Sequence, residues 1–314
     1  MGLLDLILPA LSSSAFTRKA AQRLRNAGVE VEEVKPEQMT IKHAHGITTL
    51  GNLYDEYRAA PRTQRHHVFD RVVQVVVTPD IDQIPFEQIR EFLRPKLQPR
   101  IYYELLPYQI ETTDGEKLKL PPIRIVGERH AVEAAIDFEH VIASVNEGNV
   151  ADWGVTTDQV FDIARENTWR HSNEPWQRLD HGVWASPWQD NWDAGRIWLH
   201  DLIWQLDVQG RHVVTTPNRD FVLVTGDENE AGLQSLAQLT EDILNSNPRS
   251  LTPAPLRLEG RTWQPFAPDK GEPGYDAMRW LNVMAAVNDY EEQKATLERE
   301  FERIGRDIYV ATAS

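Results

Sequence analysis

The clearest pattern of apolar and polar positions in this chain lies between Asp190 and Leu244. Its first part, residues 190–206, repeats apolar residues at helical spacing on one face and carries others opposite, which predicts a helix buried nearly all round. Two β-branched runs follow, and the Pro-Asn dipeptide between them favours a turn, so residues 211–225 should form a hairpin. Leucines at helical spacing after Asp227, the expected N-cap, predict a second helix. The pattern as a whole predicts a helix–strand–strand–helix unit.

The first hundred residues show the same order of signals. Ser12–Ser14 can cap a helical pattern, and two alternating runs separated near Pro36 predict a hairpin. Helical patterns then begin at Thr48 and after Pro61. Residues 1–100 are therefore predicted to form an N-terminal αββα region.

Proline dominates the middle of the chain, with seven prolines from Pro79 to Pro122. A short helix, FEQIREFL, and a strand, RIYYELL, fit between them, and Asp114-Gly115 predicts the tip of a hairpin. A Pro-rich arm follows the leucine-containing helix, from Asn247 to Pro268. We place the first domain boundary in the proline-rich stretch, which makes residues 101–268 a central α+β core.

Residues 269–314 are predicted to form a long C-terminal helix, from Tyr275 to Arg306, and a terminal strand, DIYVATAS, at a sheet edge. Four apolar residues are assigned to one side of the first half of the helix: Met278, Leu281, Ala285 and Val287. Three more form a narrow stripe in the charged second half: Leu297, Phe301 and Ile304. Such a stripe suits docking on a neighbouring element or on a partner helix.

The predicted fold is thus α+β, with antiparallel sheets covered by helices, and the composition agrees with a folded protein. Of 314 residues, 41% are hydrophobic and 10 are tryptophan, which is enough for a sizeable core. The absence of cysteine excludes disulfides, thiolate catalysis and cysteine-ligated metals. A net charge of −15 argues against nucleic acid as the main partner, because Lys and Arg hold a phosphate backbone.

The apolar opening MGLLDLILPAL predicts neither a signal peptide nor a membrane span. Asp5 interrupts it, no basic residue precedes it, and the run is far too short to cross a bilayer. We therefore expect a cytoplasmic protein without a membrane partner.

Three stretches of the chain carry a resemblance to a known family. They are Gly51-Asn52-Leu53-Tyr54 with Tyr57, the strand near Ile136-Asp137 with the helix from Val155 to Trp169, and Asp193-Ala194-Gly195-Arg196-Ile197 with Pro217-Asn218-Arg219-Asp220. In these stretches the chain resembles the YtpQ-like proteins, bacterial cytosolic proteins classed as a domain of unknown function. The resemblance covers residues 1–268 and implies an α+β fold and a cytoplasmic location, but no activity. Gly195 stands where the family has Ser, which argues against a role for a hydroxyl there.

The sharpest candidate for a site is the turn Asn218-Arg219-Asp220. Its Arg and Asp could present a guanidinium fork and an orienting carboxylate to an anionic ligand. Three residues complete the set of ligand-binding candidates: Arg196, His181 and His200. In the other interpretation, which we favour, Arg219 and Asp220 pair with neighbours such as Asp193 or Arg196 and lock the hairpin.

Two histidines give a weak signal for a metal. His43 and His45 alternate on a predicted strand and so point to one face, which suits a pair of ligands. Their spacing to the other histidines matches no metal motif, and we expect no metal and no cofactor.

Eight of the ten tryptophans lie between Trp153 and Trp204. An irregular segment can use them as core anchors or as the wall of a binding surface. The candidates for a partner surface are Trp176, Trp184 and Trp188, together with Leu297, Phe301 and Ile304.

The sequence contains no Gly-rich phosphate loop and no Gly-x-Ser-x-Gly elbow. No motif therefore indicates catalysis, and we assign no catalytic residues. The first hypothesis is a non-catalytic binding or protein-interaction module. Its partner would be another protein or a second copy, for example in a homodimer through the C-terminal helix. The alternative is a hydrolase that uses a His/Asp cluster, with Arg219 binding an anionic substrate.

Overall fold

The computed structural model describes residues 10–44, 46–77, 81–109, 119–138, 141–246 and 250–311. The chain divides into two compact units. The first contains residues up to Ile84 with the segment Phe138–Ala143, and the second contains Pro85–Asp137 and Ser144–Ser314. Helices and three antiparallel sheets make up the described elements, which confirms the predicted α+β class.

The first unit is a helix, a three-stranded sheet and two further helices. Its elements are α1 (Ser13–Asn26), β1 (Val31–Lys35), β2 (Thr40–His43), β3 (Gly46–Thr49), α2 (Gly51–Ala59) and α3 (Arg65–Val77). Ser12 caps α1 by accepting a hydrogen bond from the N–H of Ala15, and the chain turns at Pro36 between β1 and β2, both as predicted. The strand β3 lies outside the prediction because its mostly exposed residues show no apolar alternation.

The second unit contains two sheets and the long C-terminal helix. Its helices are α4 (Phe86–Ile89), α5 (Arg100–Gln109), α6 (Glu147–Asp152), α7 (Thr157–Arg170), α8 (His200–Trp204), α9 (Glu230–Ser246) and α10 (Tyr275–Arg303). Its strands are β4 (Leu93–Pro99), β5 (Ile123–Val126), β6 (His130–Asp137), β8 (Gln177–Arg178), β9 (Trp184–Ala185), β10 (His212–Asn218), β11 (Phe221–Gly226), β12 (Ser250–Glu259) and β13 (Thr262–Pro265), while β7 (Ile142–Ser144) lies where the chain re-enters this unit. The large sheet has the order β13-β12-β10-β11-β9-β8, and the small sheet contains β4-β6-β5.

The central hairpin is confirmed. β10 and β11 pair antiparallel, with Asn218 opposite Phe221 across a two-residue turn. The helix after it is α9, but the predicted N-cap Asp227 is wrong. Asn229 caps this helix by accepting an N–H from its first turn, whereas Asp227 accepts hydrogen bonds from Arg211 at the base of the hairpin.

The predicted helix over residues 190–206 is wrong in its extent. It is reduced to a loop, a 3-10 turn at Ala194–Trp198 and the short helix α8. The indole N–H of Trp263 donates to the carbonyl of Ile197 at 2.8 Å, which occupies an acceptor that a continuous helix would use. Gly195 also lies close to β4, where an added Cβ would stand 2.0 Å from the carbonyl oxygen of Pro95.

The predicted strand RIYYELL is also wrong, since these residues begin α5. Ile101 and Leu105 are one helical turn apart and both are buried, but their spacing also fits strand alternation. The strand lies just before them, as β4, and contains Pro95 and Pro99. Because β4 is an edge strand that pairs only with β6, the missing proline N–H groups are tolerated. The predicted turn at Asp114-Gly115 lies outside the described residues.

Two predictions about the C-terminal part need correction. The Pro-rich arm is a hairpin of β12 and β13, and β12 also joins β10 through a register that is irregular around Pro253 and Pro255. Such an irregularity accommodates proline within a paired strand. The long helix α10 is confirmed, but residues 307–311 form no strand, and residues 312–314 lie outside the described part.

Apolar side chains form one core in the first unit and two clusters in the second. The first surrounds Phe16. In the second unit, one cluster joins Leu97 of the small sheet to Val214 of the large sheet, and the other includes Leu236 of α9 and Leu281 of α10. Within the described ranges, no helix has the length and apolarity needed to cross a membrane.

Candidate functional site

Arg196 is the largest of the fully buried side chains in the described structure, with 1% of its surface exposed. Its guanidinium donates to both carboxylate oxygens of Asp190 at 2.8 Å, to Ser172 Oγ at 2.9 Å and to the carbonyl of His171 at 3.2 Å. Its central carbon also lies 4.2 Å from the ring centre of Trp188. Every nitrogen of the guanidinium therefore has a partner inside the protein.

Asp193 lies beside this ion pair, fully buried, with one carboxylate oxygen 3.9 Å from Arg196. Burial raises the pKa of Asp193 to about 6. Burial acts in the same direction on Asp190, but the hydrogen bonds and the charge of Arg196 outweigh it and hold the pKa of Asp190 below its ordinary value. At a pH between these two pKa values, Asp190 is charged and Asp193 is neutral, so one negative carboxylate faces the one positive guanidinium.

The hairpin turn holds the neighbouring loop through two hydrogen bonds and is braced internally by a third. Asp220 Oδ1 accepts the N–H of Asn191 at 2.9 Å, and Asn218 Oδ1 accepts the N–H of Asp220 at 2.9 Å. The carbonyl of Arg219 accepts the N–H of Ala194 at 3.1 Å. These are the kinds of contact expected if the turn serves to lock the hairpin.

A second buried polar cluster lies on the small sheet, and the sequence analysis missed it. Lys96 of β4 stands opposite Glu133 of β6, with Nζ 2.5 Å from the carboxylate, and the hydroxyl of Ser144 donates to the same oxygen at 2.8 Å. Burial raises the pKa of the neighbouring Tyr103 phenol, and the charge of Arg219 opposes that rise. A glutamate within the apolar run AVEAAI was the only sequence signal for this cluster.

His130, at the start of β6, is a buried imidazole. Burial, together with the charge of Arg129, lowers the pKa of His130 to about 3. Its two ring nitrogens have no hydrogen-bond partner among the described residues. The imidazole is therefore neutral at physiological pH.

The two histidines proposed for a ligand site have separate surroundings. The carbonyl of His181 accepts a hydrogen bond from Asn229, at the start of α9. The ring of His200 lies 6.0 Å from that of Trp263, and burial lowers the pKa of His200. Among the described residues, the hydrogen bonds, ion pairs and ring contacts of Arg196 involve neither histidine, so the candidate set does not assemble around that arginine.

The structure describes only one of the two histidines of the suggested metal pair. His43 is buried in the first unit and its Nε2 lies 2.8 Å from Thr48 Oγ1, while His45 lies outside the described residues. In the part of the chain that is described, no three His, Cys, Asp or Glu side chains come close enough together to hold a metal ion.

The three candidate tryptophans are half-buried, and two of them pack against the core between the sheets. The rings of Trp176 and Trp188 meet edge to face at 5.5 Å, and Trp184 donates its indole N–H to the carbonyl of Asp207 at 3.1 Å. Trp176 and Trp184 both contact the apolar cluster between the two sheets. These contacts anchor the irregular segment before β10.

The helix α10 has a buried inner side and an apolar outer side. Its fully buried residues on the inner side are Met278, Leu281 and Ala285. On the outer side, Trp280, Val283 and Tyr290 are 51%, 45% and 57% exposed. We call the side that carries these three residues the outer face of α10.

The predicted C-terminal stripe continues this outer face. Leu297 and Phe301 are half-buried, and Ile304, at the end of the helix, is 44% exposed. The assignment of Val287 to the inner side is wrong. It follows Met278 by nine residues, which is two and a half turns and therefore the opposite side of the helix, where it is half-buried like Leu297 and Phe301.

Comparisons with known protein families, with curated proteins and with solved structures find no match for this chain. The relation to the YtpQ-like family therefore stays a prediction.

Proposed function

We propose that this protein is a non-catalytic interaction module that binds a partner protein through the outer face of α10. The observation that carries the proposal is the exposure of Trp280, Val283 and Tyr290 along one side of a single helix. Removing apolar surface from water is the main favourable contribution to most protein–protein association. Tryptophan and tyrosine are also the residues that most often dominate binding energy at protein interfaces.

The polar candidates support this proposal over the hydrolase alternative. The donors of Arg196 are occupied by Asp190, Ser172 and His171, so an anionic substrate would have to displace a carboxylate. Asp220 accepts a backbone N–H of the neighbouring loop, which is a structural task. The net charge of −15 favours a protein over a nucleic acid as the partner.

We also propose a cytoplasmic location, on the strength of the sequence resemblance. Fractionation of cells that express the full chain tests it, since recovery in the membrane or secreted fraction would contradict the location.

Site-specific photo-crosslinking in cells tests the interaction surface. A benzophenone amino acid replaces Val283 or Tyr290 on the outer face. In the control it replaces Asn288, an exposed polar residue of the same helix. We expect adducts whose protein component is identified by mass spectrometry from positions 283 and 290 but not from 288. Equal adducts from all three positions, or adducts from none, would contradict the proposal.

A further inference from the structure

Apolar residues recur along the outer face of α10 at alternating spacings of three and four. The positions are Trp280, Val283, Val287, Tyr290, Lys294, Leu297, Phe301 and Ile304. This is the seam of a two-helix coiled coil, with one polar interruption at Lys294. On a straight helix, the apolar stripe of a strict seven-residue repeat drifts around the helix by about 20° per heptad. A left-handed supercoil with another helix keeps this stripe in contact with its partner.

The seam is complementary to itself when it is reversed. We infer that the partner at the outer face of α10 is a second copy of this chain, bound through the same helix in antiparallel orientation. This inference rests on the proposed function and adds the identity and the direction of the partner.

The antiparallel register pairs every seam position with a suitable residue. Centred on residue 292, it places Trp280 against Ile304 of the second copy, Val283 against Phe301, Val287 against Leu297 and Tyr290 against Lys294. The first three layers are apolar on both sides, and all four occur twice by symmetry. The fourth puts an ammonium group beside an aromatic ring, which is a favourable cation–π arrangement.

Charge selects this orientation over the parallel one. In a parallel pair Lys294 would face Lys294 of the second copy inside the seam, a like-charge contact. In the antiparallel pair Lys294 keeps its ion pair with Glu298, at 3.7 Å on its own helix, and gains the ring of Tyr290. At the flanks, Arg279 comes alongside Glu300 of the second copy.

One kind of flanking contact, which also occurs twice by symmetry, opposes the antiparallel pair. Glu291 comes alongside Glu298 of the second copy, and both side chains are exposed to solvent. Contacts between exposed charges are worth about 1 kcal/mol or less, and Lys294 lies between the two carboxylates. The apolar layers therefore outweigh this repulsion.

The mass of the full chain in solution tests self-association. We expect light scattering to give twice the monomer mass of 36.0 kDa. Val283→Asp and Tyr290→Asp should each weaken the dimer at least tenfold, while the control Asn288→Asp leaves it unchanged. A monomer at the highest soluble concentration, or a dimer that both seam variants retain, overturns the inference.

Engineered cysteines test the direction, because the chain has no cysteine of its own. Val287→Cys together with Leu297→Cys should form an interchain disulfide under mild oxidation. Val287→Cys alone should not, because two copies of residue 287 would lie about 15 Å apart along an antiparallel pair, at 1.5 Å per residue. A disulfide needs Cα atoms within about 7 Å. Efficient crosslinking of the single variant would indicate a parallel pair and overturn the inferred orientation.

The outcomes separate the inference from the proposed function. If photo-crosslinks from position 283 contain only peptides of this chain, both stand. If they identify a different protein while the chain itself is monomeric, the interaction module stands and self-association fails. If no position-specific adduct forms and the chain is monomeric, both fail.

Discussion

The surroundings of Arg196 and the outer face of α10 depart in opposite directions from the usual distribution of charged and apolar side chains. Around Arg196, charge is buried, and each guanidinium nitrogen has a partner within the same unit. On α10, Trp280 and Tyr290 leave about half of their surface in water. A buried charge with internal partners has a structural explanation in the monomer. The indole N–H of Trp280 donates one hydrogen bond to Glu241 of α9, at 3.4 Å, but this contact leaves half of the side chain in water.

The difference shows which kind of exception indicates function. Arg196 and the hairpin turn were the sharpest candidates in the sequence, yet their contacts serve the local loop. The outer face of α10 carries no catalytic residue type, but its residues are the ones that a partner could cover. Exposure after folding, rather than residue type, separates the two regions.

The largest expected effect is on the free energy of unfolding, and it comes from replacing the buried Arg196. Arg196→Ala should lower the free energy of unfolding by roughly 3–5 kcal/mol, because it leaves the buried Asp193 and the partly exposed Asp190 without their cation. The matched control is Arg261→Ala, since Arg261 pairs with Asp201 and lies 5.0 Å from the ring of Trp204, but at the surface.

That exposed pair should contribute about 1 kcal/mol or less. Denaturation followed by tryptophan fluorescence measures both variants, and all ten tryptophans lie in the second unit, so the signal reports that unit alone. Equal losses for the two variants would show that burial does not distinguish these arginine clusters.

A smaller, pH-dependent effect is expected at Asp193. Its pKa is raised from 3.8 to about 6 in the folded state, so the folded protein binds more protons than the unfolded chain between these values. The stability that Asp193 contributes is therefore fully present below about pH 4 and is lost as the pH rises through 6.

Asp193→Asn removes this loss. Its stability relative to the natural chain should rise by about 2 kcal/mol between pH 4 and 7, measured by urea unfolding at several pH values. Asp190→Asn is the comparison with the opposite sign, since the pKa of Asp190 is lowered and its contribution is lost only on acidification. A difference between Asp193→Asn and the natural chain that does not change with pH would contradict the raised pKa.

The smallest effect on stability is expected on the exposed side. Tyr290→Ser in dilute solution should change the free energy of unfolding by about 0.5 kcal/mol or less, as surface substitutions do. Met278→Ala, on the fully buried side of the same helix, should cost roughly 2–5 kcal/mol. A large loss for Tyr290→Ser in the monomer would mean that the ring has an internal structural role.

Much of the fold follows from local pattern. The hairpin β10–β11, the capped helix α1 and the long helix α10 each carry their signal within a few neighbouring residues, and each is confirmed. The failures share a cause. RIYYELL fits two periodicities, and the segment 190–206 has a helical pattern that a distant tryptophan and a close strand interrupt.

The candidate site was less accessible to sequence reasoning. Arg196 was singled out, but its partners Ser172 and His171 lie 24 and 25 residues away, and no pattern connects them. The ion pair of Lys96 and Glu133 joins positions 37 residues apart, across two strands of which one was not predicted. Such pairs depend on strand register, which a single sequence does not fix.

The sequence by itself determined the elements whose signal is local: the helices with caps or apolar stripes, the two-residue hairpin, the α+β class and the seam spacing along α10. Only the tertiary structure decided which side of α10 is covered, which strand Lys96 faces and where Arg196 finds its carboxylate. The physical reason is the distance along the sequence over which each effect acts. Periodicity, capping and turn preference act between residues a few positions apart, whereas burial and ion pairing depend on what the folded chain brings together from far along its length.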